Sequence, residues 1–324
     1  MCTAISLKTN AHYFGRTLDL ERSYDEYVTV TPRRFSFKFR MTEEKTEHFA
    51  MIGISAVVNG YPLYYDAANE KGLCIAGLNF PENAFYGEKS DEKINLAPFE
   101  FIPYLLSNAR DVNEAVELIK NINLVSLNFS EELPVTPLHW LISDGKRNVV
   151  VEPMQDGLRL YDDPYGVLTN NPTFDKQLFS LNNYRNLTPF ERKSGFAEGA
   201  ELKEYSRGMS AIGLPGDVSS QSRYVRAVFT KLNSVCDGSN GESLSRFFHV
   251  LGAVEQVKGC VVLENGELEK TVYTSCCNSD KGVYYYTTYE NRGISCVDMH
   301  REDLNSDKPV SFSIKNNQYI EEMN

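Results

Sequence analysis

Cys2 is the residue best placed to do chemistry, because it directly follows the initiator methionine. A residue this small at position 2 normally permits removal of Met1, so the mature chain would begin with a thiol beside a free α-amino group. Such an amino group titrates at about 7.7–8, so at neutral pH it can take the thiol proton and later give it to a leaving amine. The alternative is that Cys2 is only a small residue at the start of a strand.

Arg16 and Asp19 are charged residues that the fold of the chain is predicted to bring close to Cys2. Strand-like segments at residues 2–7 and from His12 onward, joined by a turn, predict a hairpin that brings both charges back to the N-terminus. On an ideal strand these two side chains face opposite sides, so we expect a bulge or bend at Gly15 if both serve one site. The alternative is an ion pair on the surface.

The histidines and cysteines predict neither a metal site nor a disulfide framework. The five histidines are dispersed, with no HExxH pattern and none paired with a cysteine at ligand spacing. The seven cysteines are an odd number and include no CxxC pair. His139, beside the only tryptophan, is predicted to be a packed core residue rather than a catalytic base. We therefore expect no metal site.

Cys2 is also predicted to be the only reactive thiol. Reactivity follows thiolate character and access, and only Cys2 has a predicted cationic neighbour together with an adjacent amine. Cys74 and Cys260 lie in apolar, strand-like sequence, where burial raises a thiol pKa. No base or cation is evident in the sequence near the other four, which are Cys236, Cys276, Cys277 and Cys296.

Strand signals dominate the elements that must position these residues. Alternating, β-branched or aromatic runs recur between residues 3 and 169, where one of them spans residues 35–39, and again between residues 271 and 314. Helical periodicity is confined to a segment N-capped by Asp111 and to segments near 222–235 and 242–257. With no repeat and no linker, we predict one α+β domain over residues 1–324, built on large, mostly antiparallel sheets.

The charge balance excludes several classes of partner. Lys plus Arg number 33 against 44 Asp plus Glu, a net charge of −11, which disfavours nucleic acid and anionic membranes. No run approaches the roughly 18 apolar residues of a membrane span, and charged residues within the first twenty interrupt any signal-peptide core. We expect a cytoplasmic protein.

Five motifs in order resemble those of the choloylglycine hydrolase family of N-terminal-nucleophile (Ntn) hydrolases. They are MCTAISL at 1–7, GRTLDLE at 15–21, GLNFPENAFY at 77–86, VLTNNPTF at 167–174 and LPGDVSSQSRYVRAVF at 214–229. Within the family they are most similar to the bile salt hydrolases, amidases related to the penicillin V acylases. The resemblance implies a four-layer αββα sandwich of two antiparallel sheets, and a homo-oligomer with a tetramer favoured over a dimer.

The resemblance also implies six catalytic residues, which are Cys2, Arg16, Asp19, Asn79, Asn170 and Arg223. Cys2 would be the nucleophile, Asp19 the carboxylate that holds the α-amino group, and Arg16 the cation beside the sulfur. Attack on an amide creates an oxyanion, and loss of one donor to it typically costs about 2.7–4 kcal/mol. Without the resemblance, Asn79 and Asn170 are equally typical of turns, and Arg223 of a solvated surface.

The implied reaction is hydrolysis of glycine- or taurine-conjugated bile acids through a thioester on Cys2, and it requires no metal and no organic cofactor. The apolar slot for the steroid would be lined by Leu18, Tyr65, Phe129 and Leu133. A penicillin V acylase or another N-acyl amidase of the family is the first alternative; Asn79 favours the bile salt branch, because those acylases often carry tyrosine at the matching position. A non-catalytic binding protein on the same fold is the second. The preference between glycine and taurine stays open.

Overall fold

Sixteen strands and five α-helices form the computed structural model, which describes residues 1–324. In chain order the strands are β1 (Cys2–Lys8), β2 (His12–Leu20), β3 (Glu26–Thr31), β4 (Met51–Val58), β5 (Tyr61–Asn69), β6 (Cys74–Asn79), β7 (Ile94–Leu96), β8 (Ile122–Leu124), β9 (Leu138–Ser143), β10 (Asn148–Met154), β11 (Gly157–Asp162), β12 (Val167–Leu168), β13 (Lys270–Asn278), β14 (Val283–Thr288), β15 (Ser295–Asp298) and β16 (Val310–Ser313). The helices are α1 (Phe101–Asn108), α2 (Val112–Ile119), α3 (Phe174–Ser180), α4 (Ser220–Asn233) and α5 (Asn240–Gly252).

Fourteen of the strands form two large antiparallel sheets. The six-stranded sheet has the order β12-β1-β2-β13-β14-β15, and the eight-stranded sheet has the order β11-β10-β9-β6-β5-β4-β3-β16. Their inner faces meet where β1 and β2 pack against β6, while α4 and α5 cover the six-stranded sheet and α1 covers the eight-stranded one. These four layers confirm the predicted αββα sandwich. No helix combines the length and the apolar character that crossing a membrane requires.

The three predicted helices are confirmed, with bounds shifted by a few residues. Asp111 caps α2 by accepting a hydrogen bond from the backbone N–H of Glu114, as its spacing predicts. α4 and α5 begin earlier than predicted, because Ser219 and Ser239 act as their N-caps. Helix α1 has no polar face, since most of its sequence FIPYLLSN is buried, and its periodicity therefore gave no helical signal.

The predicted strand at residues 35–39 is wrong. This segment is a loop in which only Phe37 makes a bridge, to Lys45. Its phenylalanines alternate because Phe37 is fully buried and its ring packs edge-on against Phe35, with 4.9 Å between ring centroids. An alternating pattern of aromatic and polar residues therefore also occurs in a loop, when every second side chain packs against the core.

His12 on β2 is a fully buried histidine held by three hydroxyl groups. Its Nδ1 lies 2.7 Å from Ser279 Oγ, and its Nε2 lies 3.1 Å from Ser6 Oγ and from Ser143 Oγ. Burial lowers the pKa of His12 to about 4. Because this is below the ordinary value of about 6.5 in an unfolded chain, the contribution of His12 to stability is complete above pH 6.5 and is lost as the pH falls toward 4.

We expect His12 alone to remove about 2 kcal/mol from the free energy of unfolding between pH 7.5 and pH 5. Urea unfolding of the wild type and of His12→Gln at both pH values measures this contribution, because glutamine keeps hydrogen-bonding capacity but does not titrate. The variant should be less stable at pH 7.5 and lose less stability on acidification. Equal losses in the two proteins would contradict the assignment.

Candidate active site

Cys2 and Arg16 lie side by side on the face of the six-stranded sheet that meets the second sheet. β1 and β2 pair regularly, with Cys2 opposite Leu18 and Ala4 opposite Arg16. Since side chains alternate along a strand, Cys2, Leu18 and Arg16 share this inner face. Asp19 lies on the opposite face, toward α4. Arg16 and Asp19 therefore approach the start of β1 from opposite faces of the six-stranded sheet.

Gly15 has a different role from the predicted one. The pairing of β1 with β2 has no bulge at Gly15, and the register shift lies instead in β13, between Thr271 and Tyr273. β13 passes so close that a Cβ on Gly15 would lie 2.1 Å from the backbone oxygen of Ser275. Glycine is required here for the close approach of two strands, and no bend is needed to bring both charges to one site.

The Arg16 guanidinium is buried against the Cys2 sulfur. Its Nη2 donates to Cys2 Sγ, and its Nη1 donates to the backbone oxygen of Gly77 on the second sheet. Burial acts to lower the pKa of Arg16, but the neighbouring Cys2, Tyr273 and Asp66 outweigh it and raise that pKa above its ordinary value. A permanent cation in this position can stabilise negative charge that develops on the sulfur during a reaction.

Asp19 is a fully buried carboxylate on the other face of the sheet. Its Oδ1 accepts a hydrogen bond from Thr271 Oγ1 at 2.6 Å, and its Oδ2 accepts one from Thr17 Oγ1 at 3.1 Å. Burial raises the pKa of Asp19, while Arg223 and the N-terminal ammonium act to lower it. An ionised Asp19 here can balance a positive charge on the N-terminal nitrogen.

Asn170, just after β12, joins the backbone of Cys2 to the second sheet. Its Oδ1 accepts from Cys2 N at 2.8 Å and from Arg223 Nη2 at 2.8 Å, and its Nδ2 donates to the backbone oxygen of Asn79 at 2.7 Å. Arg223, on α4, is fully buried and also donates from Nη1 to Thr3 Oγ1 at 2.6 Å. Burial lowers the pKa of Arg223, against the opposing effects of Asp19 and Cys2.

Asn79 ends β6 at the edge of this cluster. Its backbone oxygen accepts from Asn170, while its side-chain amide makes no hydrogen bond within the chain. The structure thus brings all six catalytic candidates together but gives the two asparagines different surroundings. Asn170 holds the Cys2 nitrogen with both amide atoms engaged, and Asn79 retains a free N–H donor.

The four predicted pocket residues fall into two groups. Leu18 lies opposite Cys2 on β2, and the backbone oxygen of Tyr65 accepts from Arg16 Nη1 at 3.4 Å, so both adjoin the catalytic cluster. Phe129 and Leu133 lie in the loop between β8 and β9, where Phe129 N donates to Leu133 O at 3.1 Å. The ring of Phe129 packs on Tyr61 with 5.8 Å between centroids. Phe129 and Leu133 therefore belong to an outer loop rather than to the cluster around Cys2.

Two supporting groups were missed by the sequence analysis. Thr271 binds Asp19, but threonine is common in strands and carries no signal of that role. Asp66 on β5 is buried behind Arg16 and accepts from Tyr273 Oη at 2.9 Å, from Ser275 Oγ at 3.1 Å and from the hydroxyl of Tyr284. The sequence did contain a signal for Asp66, which is a single carboxylate within an apolar strand. A buried charge of this kind needs hydrogen-bonding or ionic partners.

Met1 precedes Cys2 in the structure and occupies the end of the cluster. Its ammonium donates to the backbone oxygen of Asp19 at 2.7 Å and pairs with Glu269. While Met1 is present, the Cys2 nitrogen is a peptide nitrogen without a basic lone pair. The arrangement acquires its base only when Met1 is removed.

His139 is confirmed as a packed core residue. It is fully buried, its Nε2 binds Thr169 O at 2.8 Å, and its ring stacks on Phe80 with 4.2 Å between centroids. No group of three or more His, Cys, Asp or Glu side chains lies close enough together to hold a metal ion.

Two expectations about the other thiols are wrong. Cys260 is exposed rather than in an apolar strand, and Cys236 does have a cation, because Arg246 Nη1 lies 3.8 Å from its sulfur. Burial acts to raise the pKa of Cys236, but hydrogen bonds from Arg246 and from the backbone of Gly238 outweigh it, so that pKa lies below its ordinary value. Cys236 is therefore a second thiol with activating neighbours.

We expect stoichiometric iodoacetamide to label Cys2 first, with loss of activity, and Cys236 next, without further loss. Cys74, Cys276 and Cys277 are buried, as Cys2 is, but no cation lies beside their sulfurs and burial raises the pKa of each of these three thiols. All three should therefore stay unlabelled until the protein unfolds. Peptide mapping alongside activity measures the order, and Cys236→Ser is the control that should inactivate at the wild-type rate. Inactivation that tracks Cys236 while Cys2 is free would overturn this prediction.

Comparison with known protein families gives one consistent match. The model described as linear amide C–N hydrolases, choloylglycine hydrolase family, matches residues 2–312. The bile salt hydrolase/transferase of Lactiplantibacillus plantarum is 51% identical over 315 residues, which are 97% of each chain. The bile salt hydrolase/transferase of Clostridium perfringens is 36% identical over 331 residues, with all of both chains covered.

Solved structures agree with this match. A variant of the conjugated bile acid hydrolase from Clostridium perfringens has a TM-score of 0.94 at 35% identity, covering 100% of both chains. The penicillin V acylase from Agrobacterium tumefaciens has a TM-score of 0.75 at 20% identity, covering 96% of this chain and 90% of that one. The second likeness is one of fold alone.

Proposed function

The chain belongs to the choloylglycine hydrolase family and is an amidase of linear C–N bonds, and on that premise we propose that it hydrolyses the amide bond of glycine- or taurine-conjugated bile acids. The observation that carries the proposal is that the two reacting atoms of Cys2 have separate partners. Arg16 holds the sulfur, and Asn170 Oδ1 holds the nitrogen at 2.8 Å. The 51% identity to a bile salt hydrolase/transferase supports the choice of substrate.

In the proposed reaction, the α-amino group of Cys2 takes the thiol proton after Met1 has been removed. The sulfur attacks the amide carbonyl, and the free side-chain N–H of Asn79 donates to the oxyanion. The C–N bond breaks, the amino acid leaves with the proton from the α-ammonium group, and the bile acid remains as a thioester. Water, deprotonated by the same amino group, then attacks the thioester carbonyl, the C–S bond breaks, and the sulfur takes the proton back from the α-ammonium group as the bile acid leaves.

Three charged residues support this proton transfer. Asp19 balances the ammonium that forms when the thiol is deprotonated. Arg16 donates from Nη2 to the Cys2 sulfur and can stabilise the negative charge on it before attack and when the thioester breaks down. Arg223 fixes the start of β1, donating to the Cys2 backbone oxygen and to Asn170 Oδ1.

The acyl group is proposed to lie in an apolar slot between Leu18 and Tyr65 beneath the loop that carries Phe129 and Leu133. Leu18 is buried beside the nucleophile, and burial raises the pKa of the Tyr65 hydroxyl, so this residue stays neutral. An apolar slot with few polar groups is typical of sites for hydrophobic ligands.

A panel of glycocholate, taurocholate and penicillin V tests the proposed substrate. The proposal predicts rapid release of glycine or taurine and little hydrolysis of penicillin V. Faster hydrolysis of penicillin V than of either bile salt would instead favour the acylase alternative. Hydrolysis of none of the three would favour a different N-acyl amide or the non-catalytic alternative.

We also propose that the protein assembles as a homo-oligomer, with a tetramer favoured. The segment 179–212 exposes six large apolar side chains, which are Phe179, Phe190, Phe196, Leu202, Tyr205 and Ile212. Large exposed apolar side chains concentrated in one segment are typical of interaction surfaces. Light scattering of the wild type and of a Phe190→Ser/Tyr205→Ser variant tests this, and an unchanged mass would exclude the segment as the interface.

A cytoplasmic location is the remaining part of the proposal. All seven cysteines are free, and Cys236, Cys260 and Cys296 are not fully buried. Exposed free thiols persist in reducing compartments. Fractionation of the producing cells, with activity followed in each fraction, is the direct test.

A further inference from the structure

Glu269 is a buried carboxylate that the proposed reaction does not use. It directly precedes β13, and its side chain is 6% exposed. Its Oε1 accepts a hydrogen bond from the Met1 ammonium, and no other group of the chain donates to either oxygen of the carboxylate. Burial raises the pKa of Glu269, and the charge of the N-terminal ammonium is the strongest effect that opposes this. A cation at the place of the Met1 nitrogen therefore helps to keep Glu269 ionised.

The Met1 ammonium is held by two oxygen atoms, which we call the ammonium site. They are Oε1 of the Glu269 carboxylate and the backbone oxygen of Asp19, which accepts at 2.7 Å. The Met1 side chain is 25% exposed, so solvent reaches the residue that fills the space beside this site. Two acceptors, one of them charged, match the N–H donors of a primary ammonium group.

Removal of Met1 takes the ammonium away but leaves both oxygen atoms of the ammonium site attached to the fold. Asp19 lies within β2, between β1 and β13, and the backbone N–H of Glu269 donates to Val261 O at 3.1 Å. Loss of one partner from a buried ion pair leaves the other charge uncompensated. The ammonium site of the mature chain therefore attracts a cation from solution.

The ammonium site adjoins the nitrogen that acts as the base in the proposed reaction. The Met1 and Cys2 nitrogens belong to consecutive residues and lie about 3–4 Å apart. Cys2 N has an acceptor of its own, Asn170 Oδ1, at 2.8 Å. Because Asn170 keeps Cys2 N in its place, the ammonium site stays open for a second nitrogen.

We propose that, once Met1 is removed, the ammonium site binds the primary ammonium group of a small amine, and that the amino acid released in turnover is one such amine. The second part rests on the proposed function, whereas the first rests on the two acceptors alone. In the proposed reaction the leaving nitrogen takes one proton from the Cys2 ammonium group and a second from solvent. It becomes an ammonium ion beside a neutral Cys2 nitrogen, so the two groups do not repel each other.

Titration of the ¹³C-alanine-labelled Cys2→Ala protein with methylamine at pH 8.5, followed by NMR, tests the first part. At this pH an α-amino group, which titrates at about 7.7–8, is mostly neutral, while methylamine stays protonated as a lysine amine does. The methyl signal at position 2 should shift in a saturable manner. Tetramethylammonium, which has the charge but no N–H to donate, should bind at least tenfold more weakly.

Three variants locate the binding. Glu269→Gln in the Cys2→Ala protein should weaken methylamine binding at least tenfold, because an amide cannot balance the ammonium charge. Glu264→Gln, which removes an exposed carboxylate from the preceding turn, should not change it. A Cys2→Asn protein, in which the larger residue at position 2 hinders removal of Met1, should not bind methylamine, because its own N-terminal ammonium fills the site; intact mass verifies that Met1 is retained.

Saturable binding of methylamine that is lost both in Glu269→Gln and when Met1 is retained supports the proposal. Absence of saturable binding, equal binding of tetramethylammonium, or binding that Glu269→Gln leaves unchanged would overturn it, as would binding to the protein that retains Met1. Glycine and taurine should compete with methylamine, and failure of both to compete would overturn the second part. A protein that binds methylamine at this site but hydrolyses no bile salt would refute the proposed function and leave the ammonium site intact.

Discussion

Replacing Cys2 by alanine is expected to lower hydrolysis of conjugated bile acids by about 10⁴-fold or more. The sulfur is the only nucleophile beside the buried Arg16 guanidinium, and no other side chain of the cluster can form the thioester. Alanine is also small enough at position 2 to permit removal of Met1, so the variant isolates loss of the nucleophile from loss of processing. Release of glycine from glycocholate, followed for hours at high enzyme concentration, measures the residual rate.

Cys296→Ala is the matched control, because Cys296 on β15 is an exposed free thiol far along the chain from the cluster. It should keep nearly wild-type activity. A Cys2→Ala protein with substantial turnover would remove Cys2 from the reaction, whatever the behaviour of the control.

Asp19→Asn is expected to lower kcat by about 10²–10³-fold, the range typical for loss of one group that stabilises developing charge. An amide can still accept from Thr271, so the hydrogen bonds at Asp19 are largely kept, but it cannot balance the ammonium that forms on Cys2. KM should change little, because Asp19 lies on the face of the sheet away from the acyl slot. Steady-state kinetics with glycocholate and thermal unfolding of the same preparation measure both effects.

Asp163→Asn is the control for loss of a buried carboxylate elsewhere. Asp163 is 3% exposed and accepts backbone hydrogen bonds ahead of β12, so its variant should lose stability more than turnover. Near-normal kcat in a folded Asp19→Asn protein would exclude Asp19 from the catalytic group.

The hairpin β1–β2 shows how far local sequence could predict the site. Alternation and the turn correctly predicted two adjacent strands that return Arg16 and Asp19 to Cys2. The same alternation predicted that these side chains face opposite sides, which the structure confirms; the error was the inference that a bend at Gly15 must reconcile them. The actual constraint on Gly15 comes from β13, some 260 positions later, and no local pattern contains it.

Partners distant in sequence were the least predictable part of the site. The predicted roles of Asn170 and Arg223 depended on family motifs, since an Asn-Asn pair before a proline and an arginine in the first turn of a helix are common without function. Thr271 and Asp66 support Asp19 and Arg16 through contacts between strands far apart in the chain. Such contacts depend on sheet order and register, which hydrophobic periodicity does not determine.

The intact mass of the enzyme, quenched with acid during turnover of glycocholate, tests the N-terminal-nucleophile reaction most directly. The proposed reaction predicts two changes relative to the full sequence: loss of Met1, and in a fraction of the molecules the added mass of one choloyl group, which fragmentation places on Cys2. A Cys236→Ser protein should show the same two mass changes relative to its own sequence. Full turnover by a protein that retains Met1 quantitatively, or an acyl group on any residue other than Cys2, would contradict the proposed mechanism.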